Sequence, residues 1–215
     1  LRRLLWLRTS SLPTGPFMDI AADKKRLRAL ALERRAAMGG ALRAEAAERA
    51  ARNACDALLA RGPLAGRSIA LFAPFRDEID TAPLAGLLRA AGARLALPVI
   101  LGRDRPLLFR LWDQGAPLTP AGAFRIPEPG PDAPEVVPDT LVVPLAAFDR
   151  RGFRIGYGAG FYDRTLALLR AGGPVRALGY AFACQEVGQV PAEPHDEPVD
   201  MMITEAQAWA TRPLP

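Results

Sequence analysis

The residues best suited to chemistry lie in one glycine-rich segment, residues 148–164, with the sequence FDRRGFRIGYGAGFYDR. Its glycines alternate with other residues: Gly156, Gly158 and Gly160. Glycine accepts positive φ angles and lets the backbone approach a phosphate closely. The arginines nearby are Arg150, Arg151 and Arg154, and a guanidinium can direct two donors at phosphate oxygens. The segment is therefore interpreted as a triphosphate site, with a glycine-rich turn between solvated arginines as the alternative.

Residue counts exclude several other catalytic arrangements. The two cysteines, Cys55 and Cys184, are too few and too far apart for a disulfide framework or a structural zinc site. Because His195 is the only histidine, a Ser-His or Cys-His mechanism would have to use that residue. The loop spacing matches neither the Walker phosphate loop nor the dinucleotide fingerprint. The only lysines are Lys24 and Lys25, so either one could be functional or simply solvated.

The glycine-rich segment resembles the signature of the 5-formyltetrahydrofolate cyclo-ligase family. Four further elements of that family occur in order: a Lys-x-x-Leu-Arg helix at 24–28, an Asp-Glu-Ile-Asp-Thr loop at 77–81, Ile-Pro-Glu-Pro at 126–129 and a His-Asp…Val-Asp segment at 195–200. The resemblance extends over residues 24–204. It implies ATP-dependent, Mg²⁺-requiring cyclisation of 5-formyltetrahydrofolate to 5,10-methenyltetrahydrofolate. It also implies a three-layer α/β/α fold with a mostly parallel sheet, like ribose-phosphate isomerase and CoA-transferase domains.

Matched position by position, the resemblance implies nucleotide contacts from two segments. The residues expected to bind ATP are Lys24, Lys25, Arg26, Leu27, Arg28, Arg154, Ile155, Gly156, Tyr157, Gly158, Ala159, Gly160, Phe161 and Tyr162. Lys24 and Arg154 are expected to act in catalysis. Asp163 and Asp196 match the acids that bind Mg²⁺ in the family. The alternatives are a first-turn acid that favours the helix dipole for Asp163 and a surface loop acid for Asp196.

The substrate residues implied by the resemblance are Ala73, Glu78, Phe124, Arg28 and Tyr157. Glu78 would accept hydrogen bonds from the pterin, with a solvated loop charge as the alternative, and Phe124 would stack on a ring of the folate or belong to the core. Tyr157 and Ala159 are departures, because many family members carry a basic residue between the loop glycines. Asp200 is expected to be structural, and His195 to lie at the cleft edge without a catalytic role.

Alternating helices and strands support the α/β class. Helices are predicted over residues 19–38, 41–59, 81–91 and 161–170. Strands are predicted over residues 68–73, 94–98, 107–112, 141–144, 177–182 and 199–204. The Pro- and Gly-rich residues 117–138 are expected to form an ordered loop over a pocket. In the first helix the apolar stripe is Leu27, Leu30, Ala31 and Met38, whereas Lys24, Arg28 and Arg35 lie largely off it.

The net charge of +5 does not by itself indicate a nucleic-acid partner. Residues 1–17 carry three arginines and no acid, so the rest of the chain has a net charge of only +2. We expect residues 1–17 to be a disordered extension, an artefact or a targeting peptide, and residues 18–215 to form one domain. The expected protein is a cytoplasmic monomer whose partners are reduced folate and ATP, without nucleic acid or membrane. A catalytically silent homologue, an ATP-dependent transferase of another small molecule and a nucleic-acid-binding module are the alternatives.

Overall fold

The computed structural model describes residues 19–122 and 125–212, so the expectation for residues 1–17 lies outside the described residues. The helices are α1 (Ile20–Ala36), α2 (Gly40–Leu59), α3 (Ala82–Ala90) and α4 (Phe161–Gly172), with a short 3₁₀ turn at Ala183–Gln185. The strands are β1 (Ser68–Ala70), β2 (Arg94–Val99), β3 (Leu108–Leu111), β4 (Leu118–Ala121), β5 (Ile126–Pro129), β6 (Thr140–Val143), β7 (Ala147–Phe148), β8 (Arg154–Ile155), β9 (Arg176–Tyr180), β10 (Met201–Ile203) and β11 (Ala208–Ala210).

Seven strands form one central sheet in the order β11-β10-β9-β6-β1-β2-β3. The five inner strands are parallel, and β3 and β11 run antiparallel at the two edges. Strand β1 pairs with β2 on one side and with β6 on the other. The chain order therefore reverses beside β1, and in open α/β sheets ligands bind at the carboxyl ends of the strands at such a point.

Helices cover both faces of the sheet, because successive residues of a buried strand point to opposite faces. On one face Ile69 of β1 and Val142 of β6 pack with the alanine-rich side of α2 and with α3. On the other face Ala70 of β1 and Val143 of β6 pack with Leu166 of α4. The expected three-layer α/β/α class is confirmed. Within the described ranges, no helix combines the length and apolar character needed to cross a bilayer.

Helix α1 packs differently from its sequence-based interpretation. Leu27 and Ala31 contact the small β7–β8 hairpin and the segment around Val190, as an apolar stripe should. Leu30, however, is 37% exposed, whereas Arg35 is only 2% exposed. The loops beneath the helix present carboxylates and a carbonyl oxygen to Lys24, Arg28 and Arg35. These three cations therefore face the protein together with Leu27 and Ala31.

The proline-rich residues 117–138 were expected to lack strands, but they contain the antiparallel pair β4–β5. Pro120 lies opposite Pro127 in that pair, and a two-stranded ribbon tolerates proline because each strand has a free edge. Two further short elements, the β7–β8 hairpin and the edge strand β11, were also not predicted. The buried Asp200 accepts hydrogen bonds from the Ala177 amide and from Arg170, in agreement with its expected structural role.

Candidate active site

A cleft of about 540 Å³ opens at the carboxyl ends of the parallel strands. Phe72 and Ala73 follow β1, Ile100 follows β2, and Pro144 follows β6 on its walls. Ile126 and Glu128 of β5 line one side of the cleft, and the glycine-rich loop with the start of α4 lines another side. A cleft of this size suits a small-molecule ligand.

The glycine-rich loop is held by guanidinium groups that bind its carbonyl oxygens. Arg28 donates from Nε to the Gly156 oxygen at 2.7 Å, and Arg164 donates from Nη2 to the Ala159 oxygen at 2.7 Å. Gly158 and Gly160 have φ angles of +97° and +65°, which L side chains rarely adopt. Every residue from Arg154 to Asp163 lines the cleft.

Helix α4 begins at this loop with an N-terminus suited to an anion. Its N-cap is Gly160, which has no side chain to cap the first turn. The first amide N–H groups of a helix lack partners within the helix, and its dipole places partial positive charge at that end. The start of α4 can therefore bind a phosphate group through its backbone.

Helix α1 turns two cations toward the cleft, Lys24 and Arg28, one helical turn apart. The Lys24 Nζ donates to Asp196 Oδ2 at 2.6 Å and to Glu193 Oε2 at 2.8 Å. Burial lowers the pKa of Lys24, but the hydrogen bonds to Asp196 and Glu193 outweigh it and raise the pKa above its ordinary value. Lys24 is therefore a fully charged ammonium at the mouth of the site.

The second predicted catalytic cation, Arg154, is buried under the start of α4. Its Nη2 donates to Asp163 Oδ1 at 2.9 Å, and its Nη1 donates to the Glu197 carbonyl oxygen. Asp163 Oδ1 also accepts from the Glu197 amide at 3.2 Å. Because Glu197 directly follows Asp196, these bonds hold the two predicted metal-binding acids on adjoining segments.

The acids and the histidine of the segment after residue 192 form a compact group beside Lys24. The ligand atoms of Glu193, His195 and Asp196 all lie within 4.8 Å of one another. His195 is 72% exposed at the cleft edge, where it was expected. Glu193 was not identified from the sequence, because only the fold brings it within reach of Lys24.

Ala73 and Glu78, two of the residues expected to bind the substrate, both line the cleft. The Phe75 amide donates to Glu78 Oε2 at 2.9 Å. Burial raises the pKa of Glu78, and the Phe75 amide and the nearby Arg35 charge offset it only in part. Another acid, the buried Glu128 of β5, also lines the cleft, and its Oε1 accepts from the Ile100 amide at 3.2 Å. The sequence motif at 126–129 marked this element without assigning Glu128 a role.

Several predicted contacts are not in the cleft. Lys25 and Arg26 are exposed, and the partly buried Leu27 packs against the β7–β8 hairpin, so these three residues do not line the cleft with Lys24 and Arg28. Arg150 pairs with Glu186 and Arg151 with Asp149, so the turn of the β7–β8 hairpin directs both away from the glycines. The expectation for Phe124 lies outside the described residues.

The sequence model of the 5-formyltetrahydrofolate cyclo-ligase family matches residues 20–205. The chain belongs to this family. The 5-formyltetrahydrofolate cyclo-ligase of Escherichia coli is 37% identical over 147 residues, which are 66% of this chain and 80% of that protein. The cyclo-ligase of Mycolicibacterium smegmatis is 30% identical over 188 residues, 85% of this chain and 93% of that protein.

A solved structure of a cyclo-ligase relative has the same fold. The NMR structure of Aquifex aeolicus 5,10-methenyltetrahydrofolate synthetase matches with a TM-score of 0.69 and 28% identity, and the match covers 89% of this chain and 94% of that chain. The family and the enzyme class expected from the glycine-rich segment are therefore confirmed.

We predict that Glu78→Gln stabilises this cyclo-ligase while weakening substrate binding. The pKa of Glu78 is higher in the folded chain than in the unfolded chain, so its ionised carboxylate destabilises the fold above that pKa and costs nothing below about pH 4. The Tm of the variant should exceed the wild-type Tm at neutral pH, and the difference should vanish as the pH falls toward about 4. The KM for 5-formyltetrahydrofolate should rise at least about tenfold.

The matched control is Glu33→Gln on the exposed side of α1, which should change neither quantity. A Glu78→Gln variant that is less stable than wild type at every pH would show that the carboxylate supports the fold and would contradict this interpretation.

Proposed function

We propose that the chain catalyses the ATP-dependent cyclisation of 5-formyltetrahydrofolate to 5,10-methenyltetrahydrofolate, with release of ADP and phosphate. The observation that carries the proposal is the meeting of two half-sites in one cleft. The glycine-rich loop and the start of α4 suit a triphosphate, and the half-buried Glu78 suits the hydrogen-bond donors of a pterin.

The chemistry explains why a phosphoryl donor is needed. A formamide carbon is a poor electrophile, and its oxygen is a poor leaving group. Transfer of the γ-phosphoryl group to the formyl oxygen breaks the bond to ADP and gives an imidate-like phosphate. Nitrogen 10 of the folate then attacks the activated carbon and loses its proton, and the carbon–oxygen bond breaks to release phosphate. Phosphoryl transfer asks the protein mainly for positioning and charge neutralisation.

Cations supported by the cleft geometry would neutralise the phosphates. Lys24 lies at the cleft mouth as a point charge, and Arg154 lies under the first turn of α4. The amides of residues 156–162 would bind the phosphate oxygens. Arg28 and Arg164 support this by holding the loop in place through the carbonyl oxygens of Gly156 and Ala159. Arg28, Tyr157 and Ala73 would contact the folate where it meets the nucleotide.

Asp163 and Asp196 are the residues we propose for Mg²⁺. Among the described residues, the hydrogen bonds engage Oδ1 of Asp163 and Oδ2 of Asp196, so the second oxygen of each carboxylate remains available to a cation. Carboxylates are the hard oxygen ligands that Mg²⁺ prefers, and the Glu193 carboxylate lies beside Asp196. Bound Mg²⁺ would supply charge neutralisation for the triphosphate.

We further propose that the protein acts as a cytoplasmic monomer on small molecules alone, without nucleic acid or membrane. The free cysteines, Cys55 and Cys184, support the cytoplasmic part of this proposal, because thiols usually stay reduced in that compartment.

The test of the activity is to incubate the purified chain with ATP, Mg²⁺ and 5-formyltetrahydrofolate and to follow the near-ultraviolet absorbance of the methenyl product. We expect one ADP and one phosphate for each product formed, and no product after chelation of Mg²⁺. Binding of both ligands without turnover would identify a catalytically silent homologue. Folate-independent transfer to another acceptor would identify a different transferase.

We predict that Lys24→Met raises the KM for ATP at least about tenfold and changes the KM for folate much less. The variant loses the one ammonium at the cleft mouth, where the triphosphate is proposed to lie. Steady-state kinetics with each substrate varied in turn provide the measurement.

Lys25→Met is the matched control, because Lys25 is adjacent in the sequence but exposed on another side of α1. It should leave both constants unchanged. Equal effects of the two substitutions on the KM for ATP would remove Lys24 from the nucleotide site.

A further inference from the structure

A buried arginine touches both half-sites without belonging to either. Arg35 lies near the end of α1 and is 2% exposed. Its Nη2 donates to Asp77 Oδ1 at 2.7 Å and to the Tyr157 hydroxyl oxygen at 2.8 Å. One nitrogen atom therefore bridges the loop after β1 and the glycine-rich loop.

The two partners of Arg35 are next to residues proposed to bind ligands. Asp77 directly precedes Glu78 on the substrate side, and Tyr157 lies between Gly156 and Gly158 on the nucleotide side. The Tyr157 ring also meets Phe75 edge-on, with the ring centres 6.2 Å apart. Movement of either loop would therefore be transmitted to the other through the guanidinium and through this ring contact.

Stability alone gives a weak reason for this arrangement. A buried ion pair is often no more stabilising than apolar residues of similar volume, because both charges lose their hydration. Arg35 Nε is moreover buried, and no group in residues 19–122 and 125–212 accepts a hydrogen bond from it, which adds a further cost. A buried arginine with an unused N–H group is better explained by its second effect, which is to hold two loops together.

We propose that Arg35 is a positioning residue that couples the nucleotide half-site to the folate half-site, so that each ligand strengthens the binding of the other. The proposal rests on the proposed function, which places the two ligands in this cleft. A nucleotide on the glycine-rich loop fixes Tyr157, and Tyr157 through Arg35 fixes Asp77 and the adjacent Glu78 for folate. Linkage requires the effect to be reciprocal.

The experiment measures the Kd of a non-hydrolysable ATP analogue with Mg²⁺ by calorimetry, with and without saturating 5-formyltetrahydrofolate. In the wild type we expect folate to tighten nucleotide binding by at least about fivefold, the low end of ordinary coupling. In Arg35→Met and in Tyr157→Phe the ratio of the two Kd values should fall close to one. Arg35→Lys, which keeps a buried cationic donor, should restore part of the coupling.

The matched control is Arg43→Met. Arg43 approaches the other oxygen of Asp77 at 3.9 Å from a more exposed position and has no bond to Tyr157. It should leave the ratio unchanged. This comparison separates the bridge between the loops from a general loss of positive charge near Asp77.

A wild-type ratio of one, or an undiminished ratio in folded Arg35→Met and Tyr157→Phe variants, would overturn the proposal. If Arg35→Met fails to fold, Asp77→Asn and Tyr157→Phe together decide the question. Asp77→Asn weakens the other end of the bridge and keeps the hydrogen bond between the Tyr157 hydroxyl and Glu78, whereas Tyr157→Phe removes both bonds of that hydroxyl and keeps the ring. A wild type that fails to bind one of the ligands at all would instead overturn the proposed function, and the Kd values measured for each ligand alone distinguish the two failures.

Discussion

Cations on one side of helix α1 hold the two walls of the cleft against each other. Lys24, Arg28 and Arg35 follow at helical spacings of four and seven residues and therefore project in similar directions. They bind, in turn, the acids near residue 196, a carbonyl of the glycine-rich loop, and the loop that carries Glu78. These partners lie on segments with little regular structure of their own, so their relative positions depend on the helix.

Ion pairs leave the site nearly balanced in charge. Lys24 is paired with Glu193 and Asp196, and Arg154 with Asp163. Burial lowers the pKa of Arg154, and the adjacent Asp163 offsets this effect in part, so the pair reduces the cost of a charge inside the protein. A triphosphate with a divalent cation would bring both signs of charge. Lys24 and Arg154 would then exchange their carboxylate partners for phosphate oxygens, and the carboxylates would turn to the cation.

The glycine-rich loop and the start of α4 were predictable because their conformations depend on the local backbone. Gly158 and Gly160 have the positive φ angles that their sequence pattern suggested, and Asp163 lies in the first turn of the expected helix. Less predictable features depend on tertiary contacts. The rotation of α1 decided that Arg35 is buried and Leu30 exposed, and sequence periodicity assigned them the other way.

The other differences also have physical causes. Proline density in residues 117–138 indicated a loop, but the free edges of a two-stranded ribbon accept proline, and β5 brings Glu128 into the cleft. Arg150 and Arg151 precede the glycines in sequence, yet a tight hairpin turns them toward Glu186 and Asp149. The fold places Glu193 beside Lys24, and the Glu193 amide also donates to Asp196 Oδ2. Proximity in the sequence therefore located the cleft without distinguishing the residues that face it.

The most direct test of the chemistry follows the formyl oxygen itself. If the cleft brings the γ-phosphoryl group of ATP onto that oxygen, then 5-formyltetrahydrofolate labelled there with heavy oxygen should transfer the label to phosphate, one atom for each methenyl product. Mass spectrometry of the released phosphate measures this transfer. Unlabelled phosphate, with the heavy oxygen recovered in water, would contradict phosphorylation of the substrate. ATP hydrolysis would then drive the reaction without activating the formyl oxygen.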